Sequence, residues 1–146
     1  MQIVVKKFEE LSVFELYEIL RLRQEVFIVE QNCVYLDADG VDEGAYHVYL
    51  KDNEEIVAYL RVIDKGKRLE EVSLGRVITK KRGLGLGLKV MAKGIEVAKQ
   101  KFNAKTIKIG AQKYAVPFYE KCGFKLIENS DYYEDGIVHV YMTYSD

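Results

Sequence analysis

The chain has 146 residues, of which 49% are hydrophobic and 31% charged, and its formal net charge is −1. This composition is typical of one globular domain, and we predict a single domain over residues 1–146. The balanced charge argues against bulk attraction to nucleic acid or to an anionic membrane. No apolar run reaches membrane-spanning length and the first residues lack a signal-peptide pattern, so we expect a cytoplasmic protein.

The chain contains two cysteines and two histidines, and their spacing fits no common metal site. Cys33 and Cys122 also lack the context of a disulfide-rich domain, so we expect free thiols and no bound metal. Neither cysteine has the surroundings that a nucleophilic thiol requires. We therefore interpret both as packing residues.

The first third of the chain predicts a strand, a helix and a long loop. Residues 2–7 alternate as in a strand, and Ser12 followed by Glu15 is a capping-box pattern that starts a helix, or a helix pair, ending near Gln31. Residues 32–44 are rich in Asp and Gly and form a loop that is long for a compact domain. Long ordered loops often carry function, so we expect this one to form a wall of a substrate site.

The rest of the chain alternates between strand and helix patterns. Residues 46–50, 56–63 and 71–79 predict three successive strands, and residues 106–110 predict a further strand after a long helix. Residues 114–121 predict a short helix ended by Gly123, and residues 124–127 and 138–144 two last strands around a polar excursion. This order predicts a mixed α/β layered domain with a central sheet.

Residues 73–87 combine a strand, a basic turn and the start of the long helix. The turn contains glycines at 83, 85 and 87 and basic residues at 80, 81 and 82. The apolar face assigned to the helix consists of Leu84, Leu88, Met91, Ile95, Ala98 and Phe102. Unpaired N–H groups and the positive end of the helix dipole favour an anion such as phosphate, although the glycines alone would also suit a tight turn. Neither the nucleotide P-loop nor the dinucleotide fingerprint is present.

The turn resembles the acyl-CoA signature of the GCN5-related N-acetyltransferase (GNAT) family, in which Arg or Gln precedes two glycines or a Gly and an Ala. Arg82, Gly85 and Gly87 occupy those positions. A second family motif matches Ala115, Phe118, Tyr119, Gly123 and Phe124, with Gln112 replacing the usual Asn. Residues 22–31, 110–112 and 133–139 further resemble the bacterial ElaA-like branch.

The resemblance implies a single-domain layered fold whose mixed, mostly antiparallel sheet has about seven strands. It also implies direct transfer of an acetyl group from acetyl-CoA to a primary amine of a small molecule or peptide in a ternary complex. The implied acetyl-CoA-binding residues are Val77, Arg82, Gly83, Leu84, Gly85, Leu86, Gly87, Leu88 and Gln112. Tyr119 occupies the position of the family's general acid, which would supply a proton or hydrogen bond to the departing thiolate.

The base that removes the amine proton is less determined. Glu71 is one candidate because strand alternation would place it on the face of Val77, and a chain of waters is another. Glu30 and His139 lie in segments shared with the ElaA-like branch and are candidate base or substrate residues. Arg23 could contact substrate or be a buried ion-pair partner.

The acceptor is the part of the reaction that the sequence describes least. The acidic residues Asp37, Asp39, Asp42 and Glu43 of the long loop would suit a cationic acceptor. Two other functions stay open, namely a CoA-binding sensor without turnover and an acyltransferase with a longer acyl donor. The resemblance also leaves a homodimer open, and we expect neither nucleic acid nor membrane as a partner.

Overall fold

The computed structural model describes residues 1–80 and 83–146 and contains two antiparallel sheets. The first sheet has the strand order β1-β2-β3-β4, so that neighbours in sequence are neighbours in space. Its strands are β1 (Gln2–Lys7), β2 (Tyr46–Asp52), β3 (Glu55–Ile63) and β4 (Ser73–Thr79). The predicted three-strand meander is therefore confirmed.

The second sheet is built around the last long strand, which pairs with three shorter ones. Its strands are β5 (Thr106–Gln112), β6 (Lys125–Leu126), β7 (Tyr132–Glu134) and β8 (Ile137–Ser145). The described residues thus form eight strands, against an expectation of about seven. The additional strand is β7, which lies in the segment interpreted as a polar excursion and pairs antiparallel with β8.

In the part of the chain that the structure describes, three α-helices flank the sheets. Helix α1 (Val13–Arg23) continues into a π-helical segment (Gln24–Glu30), and the predicted capping box starts it, because the Glu15 amide donates to Ser12 Oγ at 3.0 Å. Helix α2 (Leu86–Phe102) and helix α3 (Val116–Lys121) follow later in the chain.

The buried face of α2 differs from the predicted one at its first turn. Leu84 and Leu88 are 61% and 43% exposed, whereas Leu86 and Val90 are buried. The helix begins two residues later than the apolar pattern suggested, because Gly85 adopts a left-handed conformation (φ +70°) at its N-cap. Met91, Ile95 and Ala98 lie on the buried face as predicted, and Phe102 packs against it partly buried.

Strand β3 is the centre of the core, since α2 and α1 cover opposite faces of the first sheet. Every residue of 56–63 is buried, as expected for a strand with neighbours on both faces. Leu60 of β3 packs with Met91 of α2, whereas Tyr59 of β3 packs with Ile19 of α1.

The two sheets meet where β4 approaches β5. Val72 forms a parallel bridge with Ile107, and the Lys108 amide donates to the Val72 carbonyl at 3.0 Å. Beyond this point β4 is irregular, because Arg76 has a positive φ of +53° and its register with β3 shifts there. A bulge of this kind bends a strand and ends regular pairing. The described parts of the two strands form no further ladder with each other, and a cleft opens between them.

Within the residues described, no helix is long and apolar enough to cross a membrane.

The Glu15 carboxylate links α1 to the first sheet, and this link should make folding stability depend on pH. Burial would raise its pKa, but hydrogen bonds from the Ser12 amide, the Tyr49 hydroxyl and Lys6 outweigh burial and lower the pKa to about 2 from 4.5. A lowered folded-state pKa stabilises the fold above the unfolded value and loses that effect as the pH falls towards 2.

We therefore expect the free energy of unfolding of the wild type to exceed that of Glu15→Gln most above pH 4.5, and the difference to shrink towards pH 2. Urea denaturation at several pH values measures it. Tyr49→Phe, which removes one of the hydrogen bonds, should reduce the same pH-dependent part. A difference that stays constant between pH 5 and 2 would contradict this role of Glu15.

Candidate active site

The cleft between β4 and β5 encloses a cavity of about 1010 Å³. One wall is the whole of β4, and the opposite wall consists of residues of β5, α3, β7 and the start of β8. The N-terminus of α2 closes one end of the cavity. Arginines next to the long loop line another part of it. The cavity is of the size typical of small-molecule and cofactor sites.

The glycine turn brings the start of α2 into the cavity lining. Gly83 (φ +81°) and Gly85 (φ +70°) adopt backbone conformations that residues with a Cβ rarely take. The Lys89 amide donates to the Gly85 carbonyl at 3.1 Å, so the amides of the preceding first turn have no acceptor within the helix. These amides and the helix dipole together form an anion-binding arrangement.

Gly87 allows the helix to lie directly against the rest of the cleft. A Cβ at this position would lie 2.9 Å from Thr79 Oγ1 and 3.0 Å from the Phe118 ring. The end of β4, the start of α2 and helix α3 therefore pack together only because residue 87 lacks a side chain.

Most of the predicted acetyl-CoA-binding residues of the turn line the cavity, namely Gly83, Gly85, Leu86, Gly87 and Leu88. Leu84 is exposed and is not part of the lining. Lys80, the first basic residue of the turn, forms an ion pair with Glu55 at 2.8 Å. Arg82 lies outside the described residues, as does Lys81.

Val77 lies in the bulged part of β4 and lines the cavity. Beyond Val72, β4 pairs with β3 on one side and with no described strand on the other. The bulge at Arg76 therefore turns an unpaired stretch of strand edge towards the cavity. An edge of this kind offers backbone N–H and C=O groups to an extended ligand.

Tyr119 lies on α3 and lines the cavity with part of its ring. Phe118 and Phe124 pack against the ring edge-on, with centroid distances of 5.1 and 6.3 Å. Burial raises the pKa of the phenol above its ordinary value. Tyr119 therefore keeps its proton at neutral pH and is a hydrogen-bond donor.

Gln112, at the end of β5, pairs with Gln31 at the end of the π-helical segment. Each side-chain amide donates to the other, at 3.2 and 3.4 Å, and both residues line the cavity. The pair connects the helical layer to the second sheet across the cleft. Gln112 is thus in the cavity as the motif implied, with its amide already engaged.

His139 lies on β8 in the cavity wall, in a defined tautomer. Its Nδ1 is 2.8 Å from the Ile137 carbonyl, which can only accept, so Nδ1 carries the proton. In the neutral ring Nε2 then has a free lone pair, and it lies 3.9 Å from Glu134 Oε2. The ring stacks on Tyr132 with a centroid distance of 5.3 Å, which fixes its orientation.

The acidic residues of the long loop are paired with buried arginines. Arg23 contacts Asp37 at 2.9 Å and Asp42 at 2.6 Å, and Arg61 contacts Asp39 and Asp42 at 2.8 and 2.9 Å. Burial would raise the pKa of Asp39, but its hydrogen bonds to Arg61 hold that pKa well below its usual range. The arginines lower the pKa of Asp42 as well, so Asp39 and Asp42 stay ionised and act as internal counter-charges.

This network corrects the expectation of an acidic pocket for a cationic acceptor. Asp37 and Asp42 are 6% and 7% exposed, and Glu43 lies at the surface outside the cavity lining. Arg76 of β4 also donates to Asp37 at 2.8 Å, which ties the loop to the bulge. The loop is a wall of the site as predicted, but its negative charge is already neutralised.

Three other predicted site residues lie away from the cavity. Arg23 is fully buried in the loop network, so it is an ion-pair partner and the substrate-contact alternative is wrong. Glu30 is exposed outside the cavity lining. Glu71 lines a separate shallow depression beside Phe102. It lies before the first residue of β4, so the strand alternation that would have placed it with Val77 does not extend to it.

Comparison with known proteins identifies the family. Residues 18–145 match the family described as an acetyltransferase (GNAT) domain. The chain belongs to the GNAT family. It is 41% identical to the protein ElaA of Escherichia coli over 137 residues, which cover 91% of this chain and 89% of ElaA.

Two solved structures support the same assignment for this GNAT protein. The crystal structure of E. coli ElaA matches with a TM-score of 0.89 and 37% identity over 99% of both chains. An acyl-CoA N-acyltransferase from Pseudomonas aeruginosa matches with a TM-score of 0.90 and 31% identity, covering 99% of this chain and 100% of that one. The GNAT fold and the ElaA-like branch predicted from the motifs are confirmed, and acyl transfer from CoA is the chemistry of the family.

Several residues of this GNAT site escaped the sequence interpretation. Arg61 lies inside the apolar run of residues 56–63, and a lone arginine in a buried strand is a signal for a paired interior charge. Tyr132 and Glu134 belong to the unpredicted strand β7 and both line the cavity. Arg68 joins them, since its Nη2 lies 2.6 Å from Glu134 Oε1.

Gly87→Ala tests whether the start of α2 binds the donor. The added Cβ would push the helix away from Thr79 and Phe118, and displaced amides would lose charge-assisted hydrogen bonds. We expect CoA to bind about tenfold more weakly or worse, as measured by isothermal titration calorimetry. Gly44→Ala is the matched control, since its Cβ meets nothing within 4 Å. Unchanged CoA affinity in Gly87→Ala would contradict the assignment.

Proposed function

We propose that this GNAT protein is an N-acetyltransferase that moves an acetyl group from acetyl-CoA to a primary amine. One observation carries the proposal: the free amides of α2, the unpaired edge of β4 and the Tyr119 phenol all line one cavity. Acetyl-CoA, when bound there, supplies a thioester whose C–S bond breaks as the new C–N bond to the amine forms.

The residues of the turn and of β4 suit binding and orientation of the donor. The backbone amides from Gly83 to Leu88 lie at the N-terminus of α2, where they would bind the pyrophosphate of the donor. Arg82 adds a positive charge to the same turn in the sequence. The strand edge at Val77 would pair with the extended pantetheine arm of the donor. A strand N–H there would polarise the thioester carbonyl, and this electrostatic contribution is usually the largest one.

Tyr119 would stabilise the departing sulfur by hydrogen bonding. Its raised pKa exceeds the value near ~8.5 of an ordinary thiol, so complete transfer of the phenol proton to a thiolate is uphill. A hydrogen bond from the neutral phenol costs no such transfer and still stabilises the developing negative charge. We therefore assign Tyr119 the role of donor to the sulfur.

His139 would accept the proton that the amine loses. Its Nδ1–H is fixed on the Ile137 carbonyl, so the free Nε2 lone pair is the available base. Glu134, 3.9 Å from Nε2, would stabilise the imidazolium once the proton arrives. Glu71 lies outside the cavity, so we propose His139 in its place.

A thiol-release assay with acetyl-CoA tests the function. The purified chain is mixed with a panel of primary amines, amino acids and N-terminal peptides, and free CoA thiol is followed. We expect amine-dependent release with at least one class, and about 10²-fold or greater loss in Tyr119→Phe with little change in CoA affinity. Tight CoA binding without release from any amine would reject the enzyme in favour of a sensor, and faster release from propionyl- or longer acyl-CoA would reject acetyl specificity.

His139→Gln should slow transfer most at neutral pH. A lysine-like amine with pKa near ~10.4 is almost wholly protonated at pH 7, so a base in the site matters most there. As the pH approaches the pKa of the amine, the neutral form becomes abundant and the base matters less. We expect the ratio of wild-type to variant kcat/KM to fall as the pH rises from 7 to 10. A ratio that is constant with pH would show that His139 is not the base.

A further inference from the structure

Arg61 has an edge that the protein leaves without a partner. The guanidinium is fully buried, and its Nη1 donates to Asp39 and Asp42 while its Nη2 donates to Asp39, at 2.8 to 2.9 Å. Three of the five N–H groups are thereby used. Among the described residues, nothing accepts a hydrogen bond from Nε.

The unused N–H groups form a fork. In a planar guanidinium, the Nε–H and the second Nη2–H are parallel along one side, and this is the geometry that binds both oxygens of a carboxylate. A buried N–H without a partner destabilises the free protein, so a ligand that accepts a hydrogen bond from it gains binding energy. The unsatisfied edge therefore favours an occupant with paired oxygens.

Gly75 leaves space beside this edge. It is the register partner of Arg61 across β3 and β4, and a Cβ built on it would lie 3.9 Å from Arg61 Nε. Gly75 has no positive φ that would require a glycine, so its missing side chain is notable for the room that it provides. Arg61 and Gly75 both line the cavity of the proposed active site.

The same part of the lining is connected to the proposed base. Arg68 Nη1 lies 3.8 Å from Asp39 Oδ2, which Arg61 holds, and Arg68 Nη2 lies 2.6 Å from Glu134 Oε1. Glu134 in turn lies 3.9 Å from His139 Nε2. A short ion-pair chain thus runs from the side of Arg61 that Asp39 occupies to the place where the amine would be deprotonated.

We propose that the acceptor is an amino acid-like molecule, whose carboxylate binds the free side edge of Arg61 in the space left by Gly75 while its amine faces His139. This inference rests on the proposed function and names the class of substrate within it. A single carboxylate fits better than a phosphate, because Asp39 and Glu134 lie close by and would repel a second negative charge.

The first test compares matched substrates in the thiol-release assay. The ω-amino acids from glycine to 6-aminohexanoate are each paired with the alkylamine of equal chain length, at one pH and one acetyl-CoA concentration. We expect at least one amino acid to exceed its alkylamine about tenfold or more in kcat/KM, since a charge-assisted hydrogen bond contributes that much. Equal kcat/KM values at every chain length would overturn the proposal.

Gly75→Ala is the variant that occupies the space without removing an ion pair. Its Cβ makes only ordinary contacts of 3.9 Å, so the fold should persist, which thermal unfolding checks. We expect the preference for the amino acid over the alkylamine to fall about tenfold. Arg61→Lys, which keeps the charge but loses the fork, should lose the same preference if it folds. A preference that survives Gly75→Ala would contradict a carboxylate in this position.

A binding experiment without acyl donor separates this inference from the proposed function. The ¹⁵N signal of Arg61 Nε–H is followed while each ω-amino acid of the series, or its alkylamine, is added to the wild-type chain. We expect a saturable shift and slower hydrogen exchange with the amino acid only. If no amine releases thiol yet this shift appears, the proposed function fails and the carboxylate site stands. If thiol is released and Nε–H does not respond, the carboxylate site fails.

Discussion

The parallel contact between Val72 and Ile107 decides how this molecule is organised, because it joins two sheets that separate on one side of it. Strands that remained paired would form a continuous sheet with no interior space. Here β4 bulges at Arg76 and leaves β5, and the cavity lies in the gap between them. The site is thus a consequence of interrupted hydrogen bonding in an otherwise regular fold.

Buried ion pairs hold together the elements that surround the cleft. Arg76, whose backbone makes the bulge, also donates to Asp37 of the long loop, and Asp37 is held in turn by Arg23 of α1. Removing one partner of such a pair would leave an uncompensated interior charge, which is strongly destabilising. The network therefore couples helix, loop and bulge, and among residues 1–80 and 83–146 it leaves one side of Arg61 without a hydrogen-bond partner.

Sequence patterns predicted the parts of the structure that local chemistry determines. The capping box at Ser12 and Glu15, the order of strands and the glycine turn follow from residues close together in the chain. The long-range features did not follow. The two arginines that pair with Asp37 are separated from it by 14 and 39 positions in the sequence. An acidic loop residue gives no sign of which arginine it will contact.

Backbone irregularity was equally hidden. The residue type gives no sign of the positive φ at Arg76, and the strand pattern did not show that β4 begins only after Glu71. Strand β7 was missed because a three-residue strand rich in Tyr and Glu lacks a measurable apolar period. The family motifs coincide with the part of the cleft where we propose that the donor binds, whereas the acceptor side depends on side chains that only the folded chain brings together.

We propose that the donor binds in the cleft between β4 and β5 with its phosphates at the start of α2. Titration of the ¹⁵N-labelled chain with acetyl-CoA tests this directly through backbone amide shifts. We expect the largest shifts in two places, at Val77 on β4 and at the start of α2. The α2 residues are Gly83, Gly85, Leu86, Gly87 and Leu88. Shifts concentrated around the depression beside Glu71 and Phe102, or no saturable shifts at all, would contradict it.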